Sequence, residues 1–114
     1  MKAERPNPLA RALRDFFSDH LPRLRGLSAH TVLSYRDSLR LLLCFVALRR
    51  GASVADLDVR HFEPADIIAF LHHLEHVRGS TASTRNVRLA AIHAFFRYLA
   101  THDPERIEQC QRIL

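Results

Sequence analysis

The chain has 114 residues, of which 47% are hydrophobic and 25% charged, and its formal net charge is +5. This length fits one domain with its own core and is too short for most enzyme folds with an internal active site. The composition is ordinary for a globular protein, and a content of only three glycines argues against a turn-rich all-β chain and favours helices.

Arginine dominates the positive charge, since Lys2 is the only lysine among 17 basic residues. The guanidinium group binds phosphate through a planar fork of donors and also stacks on bases, so this balance indicates a nucleic acid or another anionic partner. A GC-rich genome would raise the arginine content without any functional reason, and that alternative stays open.

Cysteine content and hydropathy indicate the cellular compartment in which the protein works. Cys44 and Cys110 are the only cysteines, which gives neither a disulfide framework nor a CxxC pair. The apolar run over 41–48 is far too short for a membrane span, and the first residues have no signal-peptide core. We expect a cytoplasmic protein with no membrane partner.

Apolar residues at three-to-four spacing predict a first helix over 9–21, which ends before Pro22. A second helix is predicted over 28–50, with Gly51 as its C-cap. Its inner stripe consists of Val32, Tyr35, Leu39, Leu42, Leu43 and Val46. Its second half is apolar on all sides, so Leu41, Phe45 and Leu48 must be shielded from water by another surface. Burial in the core of this domain is the favoured explanation, and contact with a missing domain or with a sister protomer is the alternative.

Two further helices follow the connection GASVADLDVRHF. The third is predicted over 64–78, with Pro64 at its first position and an acid in its first turn. Its buried stripe consists of Ile67, Phe70, Leu71, Leu74 and Val77. The fourth is predicted over 81–102, and residues 104–114 read as the start of a fifth. We therefore expect one all-α domain over 1–114, in which four helices form two compact pairs.

The same helix opening occurs twice. LSAHTVLSYR begins at Leu27 and STASTRNVRL begins at Ser80, and both contain the frame [Ser/Thr]-Ala-x-Thr followed by an arginine-bearing apolar stretch. Ser28 or Thr81 at an N-cap satisfies one of the free N–H groups at a helix start. The remaining N–H donors and the positive end of the helix dipole suit a phosphate. Plain capping is the alternative.

The charges around these openings are segregated. The windows from His20 to Arg36 and from His76 to His102 contain no acidic residue, whereas the stretch over 51–75 contains five acids and only Arg60 as a basic residue. One positive face formed by two helix starts is a surface that can enter or straddle a major groove. The candidate DNA-binding residues are Ser28, His30, Thr31, Arg36, Arg40, Thr81, Ser83, Thr84, Arg85, Asn86 and Arg88.

Three stretches occur in the order LSAHTVLSYRDSLRLLLCF, DIIAFLHHL and STASTRNVRLAAIHAFFRYL. Together they resemble the N-terminal core-binding, or SAM-like, domain of the tyrosine recombinases of the phage integrase family. The first is similar to that domain's pattern L-S-x-x-T-x-x-x-Y-x-x-x-L-x-x-F, and the third to S-x-S-T-x-x-x-x-L-x-A-I/L-x-x-F-F-x-Y-L. The resemblance covers nearly the whole chain from Leu9 onwards.

The resemblance implies a domain whose second and fourth helices lie along the major groove while a C-terminal catalytic domain clamps the DNA from the opposite side. The family's DNA-facing positions then fall on all the candidates named above except Arg40. It also implies recombination within a synaptic tetramer of sister protomers. The family's arginine, histidine, lysine and tyrosine motifs cannot be located here, so we expect a chain that binds duplex DNA and lacks the catalytic domain.

Other kinds of site find little support. His72, His73 and His76 include an i,i+4 pair that suits zinc, but no third ligand accompanies them. Tyr35 and Tyr98 lie on apolar stripes and are assigned to the core rather than to catalysis. We expect no metal, cofactor or catalytic residue. The alternative functions are a free-standing helical module that binds an acidic protein and a helix-turn-helix regulator, which the long connection after the second helix disfavours.

Overall fold

The computed structural model describes residues 7–24 and 26–114. Lys2 and Arg25, an arginine of the first acid-free window, lie outside the described residues. Five α-helices follow in chain order, and the described part contains no strand. They are α1 (Pro8–Asp15), α2 (Ala29–Arg50), α3 (Pro64–His76), α4 (Ala82–His102) and α5 (Ile107–Ile113). The predicted all-α class is confirmed.

Helix α1 is shorter than the predicted span over 9–21. Asn7 caps it by accepting a hydrogen bond from the N–H of Ala10 at 2.8 Å. After Asp15 the chain widens into a π-helical turn over Phe16–His20 and then tightens into a 3-10 turn over Leu21–Arg23. The wide turn stacks the rings of Phe16 and His20 with centroids 5.5 Å apart.

Helix α2 buries Leu39, Leu42 and Val46, which all belong to its predicted inner stripe. It ends at Gly51, whose φ of +66° is the left-handed conformation typical of a glycine C-cap. Of the three apolar residues that were expected to be buried, Leu41 and Phe45 are half-buried against the core. Leu48 remains 84% exposed, so core burial does not account for it.

The connection between α2 and α3 contributes to the core, although no pattern in its sequence predicts this. It forms two 3-10 turns, over Val54–Asp56 and Val59–His61. The side chains of Leu57, Val59 and Phe62 are almost completely buried. No regular apolar spacing marks these residues, because an irregular segment has no fixed repeat.

Helix α4 occupies a central position and packs against α2, α3 and α5. It buries Ala91, Ile92, Phe95, Phe96 and Leu99. Helix α3 buries Ile67, Phe70 and Leu74 on the predicted stripe. The prediction for Val77 was wrong: its side chain is 73% exposed, because α3 ends at His76 and the helical spacing no longer applies beyond it.

Helix α5 is docked on the connection. The side-chain amide of Gln109 donates hydrogen bonds to the carbonyl oxygens of Val59 and Phe62, and Cys110 and Ile113 are buried. The segment preceding α5 is a 3-10 turn over Pro104–Arg106, so the predicted fifth helix is α-helical only from Ile107. The Cα radius of gyration is 14.2 Å, close to the value of about 13 Å expected for a compact domain of this length.

Candidate nucleic-acid interface

The repeated sequence frame forms the same cap at the start of α2 and of α4. The Oγ of Ser28 accepts a hydrogen bond from the N–H of Thr31 at 3.1 Å, and the Oγ1 of Thr81 accepts one from the N–H of Thr84 at 3.1 Å. The hydroxyl groups of Thr31 and Thr84 lie 3.0 and 3.2 Å from those of their capping residues. The [Ser/Thr]-Ala-x-Thr frame is therefore a cap with two adjoining hydroxyl groups, built twice.

Both helix starts are exposed and electropositive. The capping residues and the two residues that follow each of them are exposed, and these include the candidates His30 and Ser83. Neither helix has an acidic residue in its first turn. The N–H groups of a first turn lack intrahelical partners and carry the positive end of the helix dipole. Each start therefore offers backbone and hydroxyl donors to an anion.

A direct hydrogen bond joins α2 to α4. The NH1 group of Arg88 donates to the Oγ of Ser38 at 3.1 Å, and that hydroxyl donates to the carbonyl oxygen of Ser34 at 2.7 Å. Ser38 is completely buried, and the Nε of Arg88 is enclosed without a hydrogen-bond partner. Arg88, predicted as a DNA contact, is thus half-buried at the junction of the two helices.

This junction lies within three turns of each helix start. Ser38 and Arg88 lie about 14 Å and about 9 Å along their helices from the respective starts, at about 1.5 Å per residue. The contact between α2 and α4 is therefore made in the half of each helix that contains the capped start.

The arginines differ in whether they form ion pairs. Arginines at the C-terminal end of α2 and near α5 form ion pairs with acidic residues of α3 and of the connection that precedes it. These pairs are Arg49 and Arg50 with Asp66, Arg106 with Asp58, and Arg112 with Glu63. Among the described residues, the arginines that have no ion pair are Arg11, Arg23, Arg36, Arg60, Arg78, Arg88 and Arg97. Four of the seven, Arg23, Arg36, Arg78 and Arg88, flank or follow the two helix starts.

Arg36 and Arg40 project from α2 and are both exposed. The guanidinium carbon of Arg36 lies 5.9 Å from the ring centroid of Phe17, a cation–π distance that holds the side chain against the segment after α1. Arg40 lies 3.7 Å from the carboxylate of Asp37, and both side chains are largely exposed. Such an exposed pair is weak and leaves the guanidinium accessible.

In the folded structure, an acidic side chain from α3 lies next to the second acid-free window. Arg85 of α4 forms an ion pair and a short hydrogen bond with Glu75, which comes from the last turn of α3. The NH2 group of Arg85 also donates to the Oδ1 of Asn86 at 3.2 Å. Two predicted DNA contacts, Arg85 and Asn86, therefore already have intramolecular partners.

No sequence pattern indicates a role for Ser38, and in the sequence Glu75 is only one of the segregated acids. Ser38 shows no local signal beyond being a polar residue next to an apolar stripe. Glu75 lies immediately before the acid-free window, and only the packing of α3 against α4 brings its carboxylate to Arg85.

The three histidines of α3 have different neighbours. The rings of His72 and His76 stack with centroids 5.3 Å apart, while His73 packs against Phe45. No cluster of three or more metal-binding side chains exists among residues 7–24 and 26–114. In the same part of the chain, no helix has both the length and the apolar character to span a bilayer.

The two tyrosines are half-buried against the core, as their stripes indicated. Burial raises the pKa of the Tyr98 phenol, and the carboxylates of Asp15 and Asp19 raise it further. The phenol therefore stays protonated at neutral pH, which disfavours it as a nucleophile.

The chain is similar in sequence to known proteins over most of its length. The sequence profile of the phage integrase N-terminal SAM-like domain matches residues 14–103. Two proteins of Sinorhizobium fredii, named "Putative integrase/recombinase" y4rC and y4rD, are 42% and 41% identical to the chain over 106 residues. Those alignments cover 93% of this chain and 32% and 38% of the two relatives.

A more distant relative is the tyrosine recombinase XerC of Pseudomonas syringae pv. tomato, which is 30% identical over 95 residues. That alignment covers 79% of this chain and 30% of the relative. The chain therefore spans about a third of the length of the curated relatives it matches. No solved structure matches it.

Proposed function

Because this chain belongs to the phage integrase N-terminal SAM-like domain family, we propose that it binds duplex DNA through the starts of α2 and α4 for a tyrosine site-specific recombinase. The observation that carries the proposal is the distribution of arginines. Those near the two capped helix starts have no ion pair among the described residues, except Arg40 and Arg85, while those at the far end of α2 and near α5 form ion pairs.

Phosphate contacts supply most of the affinity in this proposal. The first-turn N–H groups and the hydroxyls of Ser28, Thr31, Ser83 and Thr84 are donors for phosphate oxygens, and Arg36 adds an exposed guanidinium. Asn86 and Arg36 are the candidates for base-edge contacts, since an amide suits adenine and a guanidinium suits guanine. Binding is therefore expected to weaken steeply with salt.

Strand cleavage and rejoining belong to other parts of the recombinase in this proposal. Tyr35 and Tyr98 are packed against the core, so the chain's part is to hold DNA for a catalytic domain. Sister protomers in a synaptic complex are the further partners we propose. XerC is named a tyrosine recombinase, and the y4rC and y4rD proteins are named for integration and recombination.

Replacement of Arg36 by alanine tests the proposal. We expect Arg36→Ala to lose about one phosphate contact, so that the slope of log affinity against log salt becomes shallower by about 0.9. The measurement is titration of a fluorescent duplex with the chain between about 50 mM and about 200 mM salt. Arg60→Ala is the matched control, because Arg60 is also exposed and outside any ion pair of the described residues but lies on the connection.

The outcomes separate the hypotheses. A shallower slope for Arg36→Ala alone supports the interface on α2. Equal slopes for the two variants, or no binding of duplex by the unmodified chain at the lowest salt, would reject it. In the second case, capture of an acidic protein by the same basic face becomes the better hypothesis.

A further inference from the structure

A row of polar contacts crosses from α3 to the first turns of α4. Glu75 pairs with the NH1 group of Arg85, whose NH2 group donates to the Oδ1 of Asn86 at 3.2 Å. The other carboxylate oxygen of Glu75 lies 4.0 Å from the Nε2 of His76. The side chains of Glu75 and Arg85 are 32% and 35% exposed, so the pair is partly withdrawn from water but reachable from the surface.

A surface that served only to bind phosphate would not be expected to contain the carboxylate of Glu75. A carboxylate near a duplex repels the backbone, and pairing with Glu75 and Asn86 uses two of the five N–H donors of Arg85. The carboxylate of Glu75 also offsets the charge of the guanidinium, so Arg85 attracts a phosphate less strongly than an unpaired arginine. The contact therefore lowers general DNA affinity and calls for a different explanation.

The effect on Asn86 supplies that explanation. The bond from Arg85 restrains the amide of Asn86 and uses one lone pair of its Oδ1. Both Nδ2 donors and the second lone pair remain, and these are the groups with which an asparagine reads adenine. An amide held in one orientation loses less entropy when it binds, and it discriminates between bases because it cannot turn its donors and acceptor to match a different base edge.

We propose that Glu75 is a specificity-determining positioning residue: it holds Arg85 off the phosphates and thereby orients Asn86 towards a base edge. This inference rests on the proposed function and deepens it, since it assigns selectivity and affinity at α4 to different residues. Glu75 itself contacts no DNA and acts through Arg85.

The test is Glu75→Gln in the full chain, with random-sequence duplex as the probe. Arg85 released from the carboxylate is expected to gain about one phosphate contact, so the ratio of affinities at about 50 mM and about 200 mM salt should grow about threefold. Sequences enriched from a random duplex library should lose the preference at one base position, and Asn86→Ala should lose it at the same position. A purely structural ion pair predicts the opposite sign, because its loss would weaken binding.

Two controls isolate the mechanism. Glu108→Gln removes the same charge from α5, where the carboxylate is 92% exposed, and it should leave the salt ratio unchanged. Glu75→Gln combined with Arg85→Gln should show no gain over Arg85→Gln alone, because the gain requires the arginine. Thermal unfolding of each variant verifies that the fold persists.

The inference is overturned if the unmodified chain binds duplex but Glu75→Gln leaves both salt ratio and base preference unchanged. It is equally overturned if Glu108→Gln or the double variant shows the same gain, which would indicate a general charge effect. Failure of the unmodified chain to bind any duplex would instead reject the proposed function, and this inference with it.

Discussion

Asp66 is a buried carboxylate that ties the end of α2 to the start of α3. Its side chain is 3% exposed, and it accepts hydrogen bonds from the Nε of Arg49 at 3.0 Å, the NH2 of Arg50 at 2.7 Å and the N–H of Glu63 at 2.9 Å. Burial raises the pKa of Asp66, but the Glu63 N–H and the two guanidinium groups outweigh this effect and bring the pKa below its ordinary value. The ionised carboxylate is therefore part of the folded structure.

Asp66→Asn is expected to destabilise the fold by about 1.5–3 kcal/mol, because both charged hydrogen bonds lose their ionised acceptor. Urea denaturation at neutral pH measures this change in the free energy of unfolding. Glu108→Gln, which alters a largely exposed carboxylate, should change it far less. Equal losses in the two variants would contradict the assignment.

The lowered pKa of Asp66 also has a consequence at low pH. A carboxylate with a depressed folded-state pKa stabilises the fold fully above its unfolded pKa of about 3.9, and this contribution disappears as the pH falls through the lower folded value. Stability below about pH 4 should therefore fall more steeply in the unmodified chain than in Asp66→Asn.

At the scale of the element, the two N-caps determine where α2 and α4 begin. Ser28 and Thr81 each satisfy the third N–H of the helix and leave the first two N–H groups for an external anion. The same residues therefore serve the helix and shape its exposed end. In the proposed function, this dual use is the reason for the repeated frame.

Removal of either cap should lower stability. Ser28→Ala and Thr81→Ala are each expected to lose about 1 kcal/mol in the free energy of unfolding, because an orphan N–H replaces a hydrogen bond. Thr81→Ser should retain most of the stability, since it keeps the hydroxyl group. Chemical denaturation of the three variants checks this, and a loss in Thr81→Ser as large as in Thr81→Ala would argue against capping.

At the scale of the molecule, a stack of rings joins the segment after α1 to the end of α4. Tyr98 packs against both His20 and His102, with centroid distances of 4.8 and 4.3 Å, and Phe16 stacks on His20. Burial lowers the pKa of His20, and the neighbouring His102 and Arg23 lower it further. The stack therefore favours neutral His20.

Stability should depend on the protonation of this histidine. Because the folded-state pKa of His20 is below its unfolded value of about 6.5, its contribution is complete above that pH and is lost as the pH falls through the folded value. Replacing His20 with phenylalanine keeps a ring in the stack and removes the titration. We expect a smaller loss of stability between about pH 7.5 and about pH 5.5 in His20→Phe, measured by urea denaturation. An unchanged pH dependence would contradict the role of His20.

Much of the fold followed from local pattern. Three-to-four spacing placed α2, α3 and α4 and most of their buried faces, and Ser28, Gly51, Pro64 and Thr81 marked their ends, because capping and amphipathicity act between residues close in sequence. The prediction failed for Val77, where the helix had already ended, and it missed Leu57, Val59 and Phe62, which are buried without a regular repeat.

For the candidate site, the sequence by itself determined the two capped starts, their hydroxyl groups and the clustering of arginines around them. Only the tertiary structure decided which arginines remain unpaired. Glu75 and Arg85 are 10 residues apart, Arg49 and Asp66 are 17 apart, and Ser38 and Arg88 are 50 apart. Such pairs depend on how whole helices dock, which is settled by the packing of side chains from several elements and not by any local pattern.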